Sequence, residues 1–222
     1  MKLSDSDHDR VSAAIRAAEA GSDGEIIAIA AERSDDYHDV GLHYAVLVVF
    51  LVLAWAAAWP DQLKFWWTVL MGWTAEPTLR QLLTLLLGLA LAKFLAVIFV
   101  LKWKPLRLAL TPGATKGRRV RRRAVMLFKT GAERRTIGRT GVLIYLSMGE
   151  RRAEIVGDEA ITAVTTPETW GEAMTVLIAD VRDGRPADGI VAAIGLIGAV
   201  LSEHFPRTAD DTNEIPDKLI EL

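Results

Sequence analysis

Two long, nearly uninterrupted apolar runs constrain this chain more than any other feature. Leu42 to Trp59 (LHYAVLVVFLVLAWAAAW) carries no charge and stops at Pro60. Leu82 to Trp103 (LLTLLLGLALAKFLAVIFVLKW) is apolar apart from Lys93 and Lys102. A helix rises about 1.5 Å per residue, so about 20 residues cross a hydrocarbon core of ~30 Å. Both runs are close to that length, and hiding two such helices in a soluble core needs a larger protein than 222 residues. The composition agrees: 51% of residues are hydrophobic while 24% are charged, which fits apolar residues concentrated in one part of the chain. Residues 41–103 are therefore expected to form a transmembrane hairpin, with spans at about 42–59 and 82–103. Tyr44, Trp55, Trp59, Trp66, Trp67, Trp73 and Trp103 lie near the run ends, where amphipathic rings settle at headgroup level. Phe65 to Trp73 is too short to span and is expected to lie along the outer surface.

Basic residues set the expected orientation. The connection from Pro60 to Gln81 holds only Lys64 and Arg80. After the second run come Lys102, Lys104, Arg107, Lys116, Arg118, Arg119, Arg121, Arg122, Arg123 and Lys129. The positive-inside rule puts the short loop outside and both termini in the cytoplasm, with the chain in the inner (plasma) membrane. Met1–Arg10 is polar and acidic, unlike a cleavable signal peptide, so the first span is expected to direct insertion. Lys93 is the one charge at membrane depth, a position that costs about 2.5–3.5 kcal/mol on insertion scales. It reads as a snorkelling side chain or a homo-oligomer contact rather than part of an ion pathway.

The flanking segments read as one cytoplasmic α/β domain in two pieces, 1–40 and 104–206, followed by a polar tail at 207–222. Ser4 or Ser6 caps a helix to about Ala20, and Gly24–Ala31 is a strand buried on both faces. Thr115–Ala132 is a helix with Val120, Ala124, Leu127 and Phe128 on one side and arginines on the other. Gly141–Ser147 and Arg152–Val156 form a β-hairpin. Asp158 caps a short helix, Thr166-Pro167 starts another, and a last helix runs from about Pro186 to His204 with Ile190, Ile194, Ile197 and Leu201 in register. Gly195 and Gly198 are expected to admit a close neighbour. Three strands with intervening helices make a small α/β sandwich. The hairpin leaves after the first strand, so both halves must return to one side of the membrane.

Ser22-Asp23-Gly24-Glu25-Ile26-Ile27, Thr140-Gly141-Val142-Leu143-Ile144-Tyr145-Leu146-Ser147, Arg151–Val156, Gly157–Ile161, Trp170-Gly171-Glu172, Gly184–Gly189 and His204-Phe205-Pro206 occur in that order. In order and spacing they resemble the TPM domain family, and within it a bacterial branch in which a transmembrane hairpin splits the domain. The resemblance implies a three-layer αβα sandwich. It does not select an activity, because members have been linked to acid phosphatase activity, calcium binding and membrane-complex assembly or repair. Members commonly carry Asp, then Asn or Asp, before the Gly-Val-Leu strand, where this chain has Arg139 and Thr140. A guanidinium in place of a carboxylate weakens an inherited metal site.

Candidate ligands and surfaces follow from residue type. Asp35, Asp36 and Asp39 follow the first strand, and Asp158 and Glu159 follow the third. Brought together, Asp35, Asp36 and Asp158 would suit Ca²⁺, which takes about six to eight oxygen ligands. A solvated acidic loop is the simpler reading, with no cofactor. Lys116, Arg118, Arg119, Arg121, Arg122 and Arg123 lie beside the second span, where each charge near an anionic leaflet contributes about 1 kcal/mol. They read as a surface for anionic lipid headgroups rather than nucleic acid, since no stacking aromatics accompany them. No HExxH, Walker loop, GxGxxG or nucleophile elbow occurs, and with no cysteine there is no thiol chemistry. The chain thus reads as a non-catalytic, membrane-tethered interaction module that assists a membrane complex, with another membrane protein or a second copy as partner. The alternative is a metal-dependent phosphatase or Ca²⁺-binding domain at the cytoplasmic face.

Overall fold

A computed structural model describes residues 3–72, 76–131, 140–208 and 215–222. In chain order, α1 (Asp5–Glu19) and β1 (Glu25–Ala31) precede α2 (His38–Ala58), α3 (Pro60–Met71), α4 (Leu79–Val100) and α5 (Lys104–Leu110). Then follow α6 (Gly113–Gly131), β2 (Gly141–Ser147), β3 (Arg152–Gly157) and α7 (Glu159–Val164). A 3₁₀ turn at Pro167–Trp170 leads into α8 (Gly171–Arg182), α9 (Pro186–His204) and β4 (Leu219–Glu221). The chain divides into two compact units, Met1–Asp35 with Pro112–Leu222, and Asp36–Thr111.

The first unit is built on β1 and β2. Apart from Glu25 at the start of β1 and Ser147 at the end of β2 both are apolar, and all seven residues of each are buried, as expected of strands covered on both faces. They pair in parallel from Glu25–Gly141 to Ala31–Ser147, and β3 runs antiparallel to β2. On one face Ile26, Ala28, Ala30, Val142, Ile144 and Leu146 pack with Val11 and Ile15 of α1, Leu177 of α8 and Ile190, Ile194 and Ile197 of α9. On the other, Ile27, Ile29, Leu143 and Tyr145 pack with Val120, Ala124 and Phe128 of α6. The fold is the α/β, three-layer αβα sandwich expected.

The tail differs from expectation. Its last residues form β4, a fourth strand parallel to β1, giving the sheet order β3-β2-β1-β4. Leu219 is buried, and His8 Nε2 lies 3.0 Å from a Glu221 carboxylate oxygen. A three-residue strand has too little pattern to be seen in sequence, but it covers the edge of β1 that would otherwise be left open. Close by, Glu19 accepts a hydrogen bond from the Ile26 amide at 2.7 Å. Burial pushes its carboxyl up to about 8, and the neighbouring Glu25 and Asp217 charges push the same way.

The motif at Ser22-Asp23-Gly24 now has a structural reason. The Asp23 amide donates to the Phe205 carbonyl at 3.0 Å, and its carboxylate accepts from the Thr208 amide and hydroxyl at 2.7 and 2.8 Å. A Cβ on Gly24 would meet Leu201 at 2.9 Å. The segment therefore clasps the end of α9 near His204-Phe205-Pro206. Gly198 approaches α1 so closely that a Cβ would sit 2.6 Å from that of Ala18. Gly195, expected to do the same, faces open space.

In the second unit α2 packs against α4. Gly41 lies against Leu101, and the Tyr44 hydroxyl donates to the Leu110 carbonyl at 3.0 Å. The buried Arg107 guanidinium lies 3.1 Å from His38 Nδ1. Helix α2 starts at His38, four residues before the expected span, because Tyr37 turns the chain in the left-handed region (φ 53°). Helix α4 starts at Leu79, where Thr78 and Gln81 form a capping box. It ends at Val100, before Trp103, which precedes α5. The segment from Phe65 belongs to α3, about 18 Å long and started by Pro60, with Leu63 buried. Trp73, Arg139 and the expected helix end at Ala132 lie outside the described residues.

Candidate functional site

The carboxyl ends of parallel strands are the usual place for a functional constellation in an α/β sheet. Here that end carries a buried polar network. Tyr145 and Ser147 stand on β2, Glu150 in the turn to β3, and Ser34 in the loop after β1. The Ser34 amide donates to Glu150 Oε1 at 3.0 Å, and the Ser147 hydroxyl donates to Glu150 Oε2. The hydroxyls of Ser34 and Tyr145 are 3.0 Å apart. Tyr145, Ser147 and Glu150 are buried. Burial pushes the Tyr145 phenol upward, against the hydrogen bond from Ser34. The turn fits only with glycine at 149, where a Cβ would meet the Glu32 carbonyl at 2.8 Å. Arg119 of α6 pairs with Asp35 at 2.5 Å. The evident work of the network is to fix residues 32–35, the last before the second unit, to β2, the turn and α6. The sequence pattern places Ser147 at a strand end but gives no sign of its network with Ser34 and Glu150, since Ser34 and Glu150 lie 116 residues apart.

The carboxylates proposed for Ca²⁺ are not brought together. Asp35 follows the end of β1 that pairs with Ser147, whereas the Asp158 amide donates to the Gly141 carbonyl at the opposite end of β2. Seven-residue strands separate those ends by about 20 Å. Asp158 is buried as the N-cap of α7, its side chain accepting from the Glu159 amide at 2.8 Å. Asp36 is exposed, 3.8 Å from His38 Nε2. Among the described residues no three His, Cys, Asp or Glu side chains form a group suited to a metal. Thr140, where family members carry Asn or Asp, donates its hydroxyl to the Asp23 carbonyl at 2.8 Å and ties β2 to the α9 clasp. The donor set thus does not fit the ion that the resemblance allows.

The basic residues of α6 divide by face. Arg119 is held by Asp35, and Arg121 pairs with Glu154 at 3.2 Å while remaining largely exposed. Arg123 is half-buried near the Tyr145 phenol. Lys116 is half-buried one residue before Gly117, where Arg152 of β3 lies close to the helix. Arg118 and Arg122 are exposed. Of the six basic residues, Arg118, Arg121 and Arg122 are the exposed ones, and of these Arg121 is paired with Glu154.

Among the described residues, three helices are long and apolar enough to cross a membrane: α2, α4 and α9. They differ in cover. Half of the apolar stretch of α9 is buried, but only 22% of that of α2 and 6% of that of α4. Leu79, Leu83, Leu87, Leu91, Leu95 and Phe99 run along α4 with exposures from 55 to 73%. Lys93 lies on the same helix, exposed.

No curated protein matches the chain significantly. Among solved structures, it is similar to the NMR structure of the BA42 protein from the psychrophilic bacterium Bizionia argentinensis, with a TM-score of 0.57 and 18% identity. That match covers 100% of this chain and 97% of the other, and at this identity it speaks for the fold alone. Residues 108–200 match the TPM domain, spanning α6, the β2–β3 hairpin and most of α9. The chain thus carries a TPM domain at residues 108–200.

Proposed function

We propose that this chain is a membrane-anchored TPM-domain module, non-catalytic, that assists assembly or maintenance of a membrane complex. The observation that carries the anchoring is the outward-facing apolar surface of α2 and α4, far larger than the patches soluble proteins expose. Pairing of β1 with β2 supports one orientation, since strands on either side of the second unit must share a compartment. The positive-inside rule makes that compartment the cytoplasm and the membrane the inner one. Arg118, Arg121 and Arg122 then meet anionic headgroups. The non-catalytic reading is supported by Asp35 and Asp158, each engaged structurally at opposite ends of the sheet.

The test is alkaline extraction of membranes followed by isolation in mild detergent. The expected result is that the chain stays in the membrane pellet and co-isolates with one membrane protein at fixed stoichiometry. Release by alkali overturns the anchoring. Isolation without any membrane protein, together with phosphate-ester hydrolysis that Asp158→Ala abolishes, overturns the non-catalytic role.

A further inference from the structure

Helices α2, α3 and α4 line a half-open cavity of about 600 Å³. Each helix contributes a single stripe: Val48, Leu51, Val52 and Trp55 from α2, Leu63, Trp66 and Leu70 from α3, and Leu85, Leu89 and Lys93 from α4. These are helical spacings of three and four, so each stripe is one continuous face. Every lining residue is apolar except Lys93, and none is acidic. Lys93 is the last residue of its stripe, about 12 Å along α4 from Leu85. Side chains on a helix lean toward its N-terminus, which directs the Lys93 stem along the cavity toward Leu89. Among the described residues no carboxylate pairs with Lys93.

We infer that this cavity binds a single-chain fatty acid, its carboxylate on the Lys93 ammonium and its hydrocarbon tail between the three stripes. The inference rests on the membrane-anchored reading above. An ammonium at membrane depth is costly, and an anion beside it offsets that cost. The cavity supplies an apolar body of ligand size with one cationic end, within the ~300–1,000 Å³ typical of small-molecule sites. One ammonium with no guanidinium beside it balances one carboxylate. A phosphate would call for more donors, and a two-chain lipid for more room.

The test is equilibrium binding of radiolabelled palmitate and methyl palmitate to the full chain in neutral detergent at alkaline pH. Palmitate is expected to bind one per chain, at least about tenfold tighter than the uncharged ester, as a charge-assisted contact requires. Lys93→Met should remove that preference while leaving ester binding, which also reports that the cavity is folded. Lys93→Arg should keep the preference, and Leu89→Trp, which fills the cavity, should abolish binding of both. Equal binding of acid and ester to the wild-type chain, or a preference that survives Lys93→Met, overturns the inference. Alkaline extraction run in parallel separates the two readings. A chain that stays in the membrane but shows no preference refutes the fatty-acid site alone, and a chain released by alkali refutes the anchoring.

Discussion

Helices α9 and α4 are alike in length and apolar character, yet the fold treats them in opposite ways. Helix α9 is enclosed: Ile190, Ile194 and Ile197 are 0–1% exposed in the sandwich core, and Gly198 lets α1 come within contact distance. Helix α4 keeps its leucines outward, Leu87 at 69% exposure and Leu79 and Phe99 at 73%. The lesson is that hydrophobic length does not by itself identify a spanning helix. What decides is whether other elements of the same chain can cover it. Helix α9 has α1, α8 and the sheet for cover, whereas among the described residues α4 packs chiefly against α2 and the short α3.

The largest expected effect breaks this comparison at a matched pair of glycines. Gly198→Leu forces side-chain atoms into Ala18 and should destabilise the sandwich by about 3 kcal/mol. Gly88→Leu adds the same atoms to α4 where nothing lies within 4 Å, and should leave stability unchanged or slightly raised. Hydrogen exchange at the β1 and β2 amides reads the first, and thermal melting in detergent compares both. Equal costs at the two sites would mean that α4 is as closely covered as α9.

A smaller effect sharpens the role of Asp158 within the sandwich. Asp158→Ala removes the N-cap of α7 and should cost about 1 kcal/mol in denaturant unfolding, with or without Ca²⁺. A loss that appears only when Ca²⁺ is present would return Asp158 to the set of metal ligands.

The smallest effect is a pH dependence confined to the sandwich. The Glu19 carboxyl is raised from an ordinary value of 4.5 to about 8, first by burial. Between those values the folded state keeps a proton that the unfolded chain has released. This contribution to stability is therefore full below pH 4.5 and is lost as pH rises toward about 8. Glu19→Gln should flatten this decline, measured as urea midpoints at pH 5.5 and 8.5. An unchanged slope would show that Glu19 ionises normally in the folded protein. The side chain is only partly buried, so solvent screening keeps the effect modest.

The local pattern of the chain determined much of this protein. Apolar runs within Glu25–Ala31 and Gly141–Ser147 specify doubly covered strands, and the ordered motifs around them specify the αβα sandwich. Ser4, Asp158 and Pro60 mark helix starts because capping and φ restriction act over a few residues. Other features were decided only by tertiary contact. Ser34, Ser147 and Glu150 form a network across more than a hundred residues, and β4 is a strand only because β1 offers it an edge. The arginines of α6 look alike in sequence, but Asp35 and Glu154 engage two of them while Arg118 and Arg122 stay outward. Whether the carboxylates after β1 and β3 meet depended on the antiparallel course of β3, which carries Asp158 to the far end of the sheet. Propensity and capping are properties of a short stretch of chain, whereas burial, pairing and ligand geometry depend on which distant segments arrive beside it.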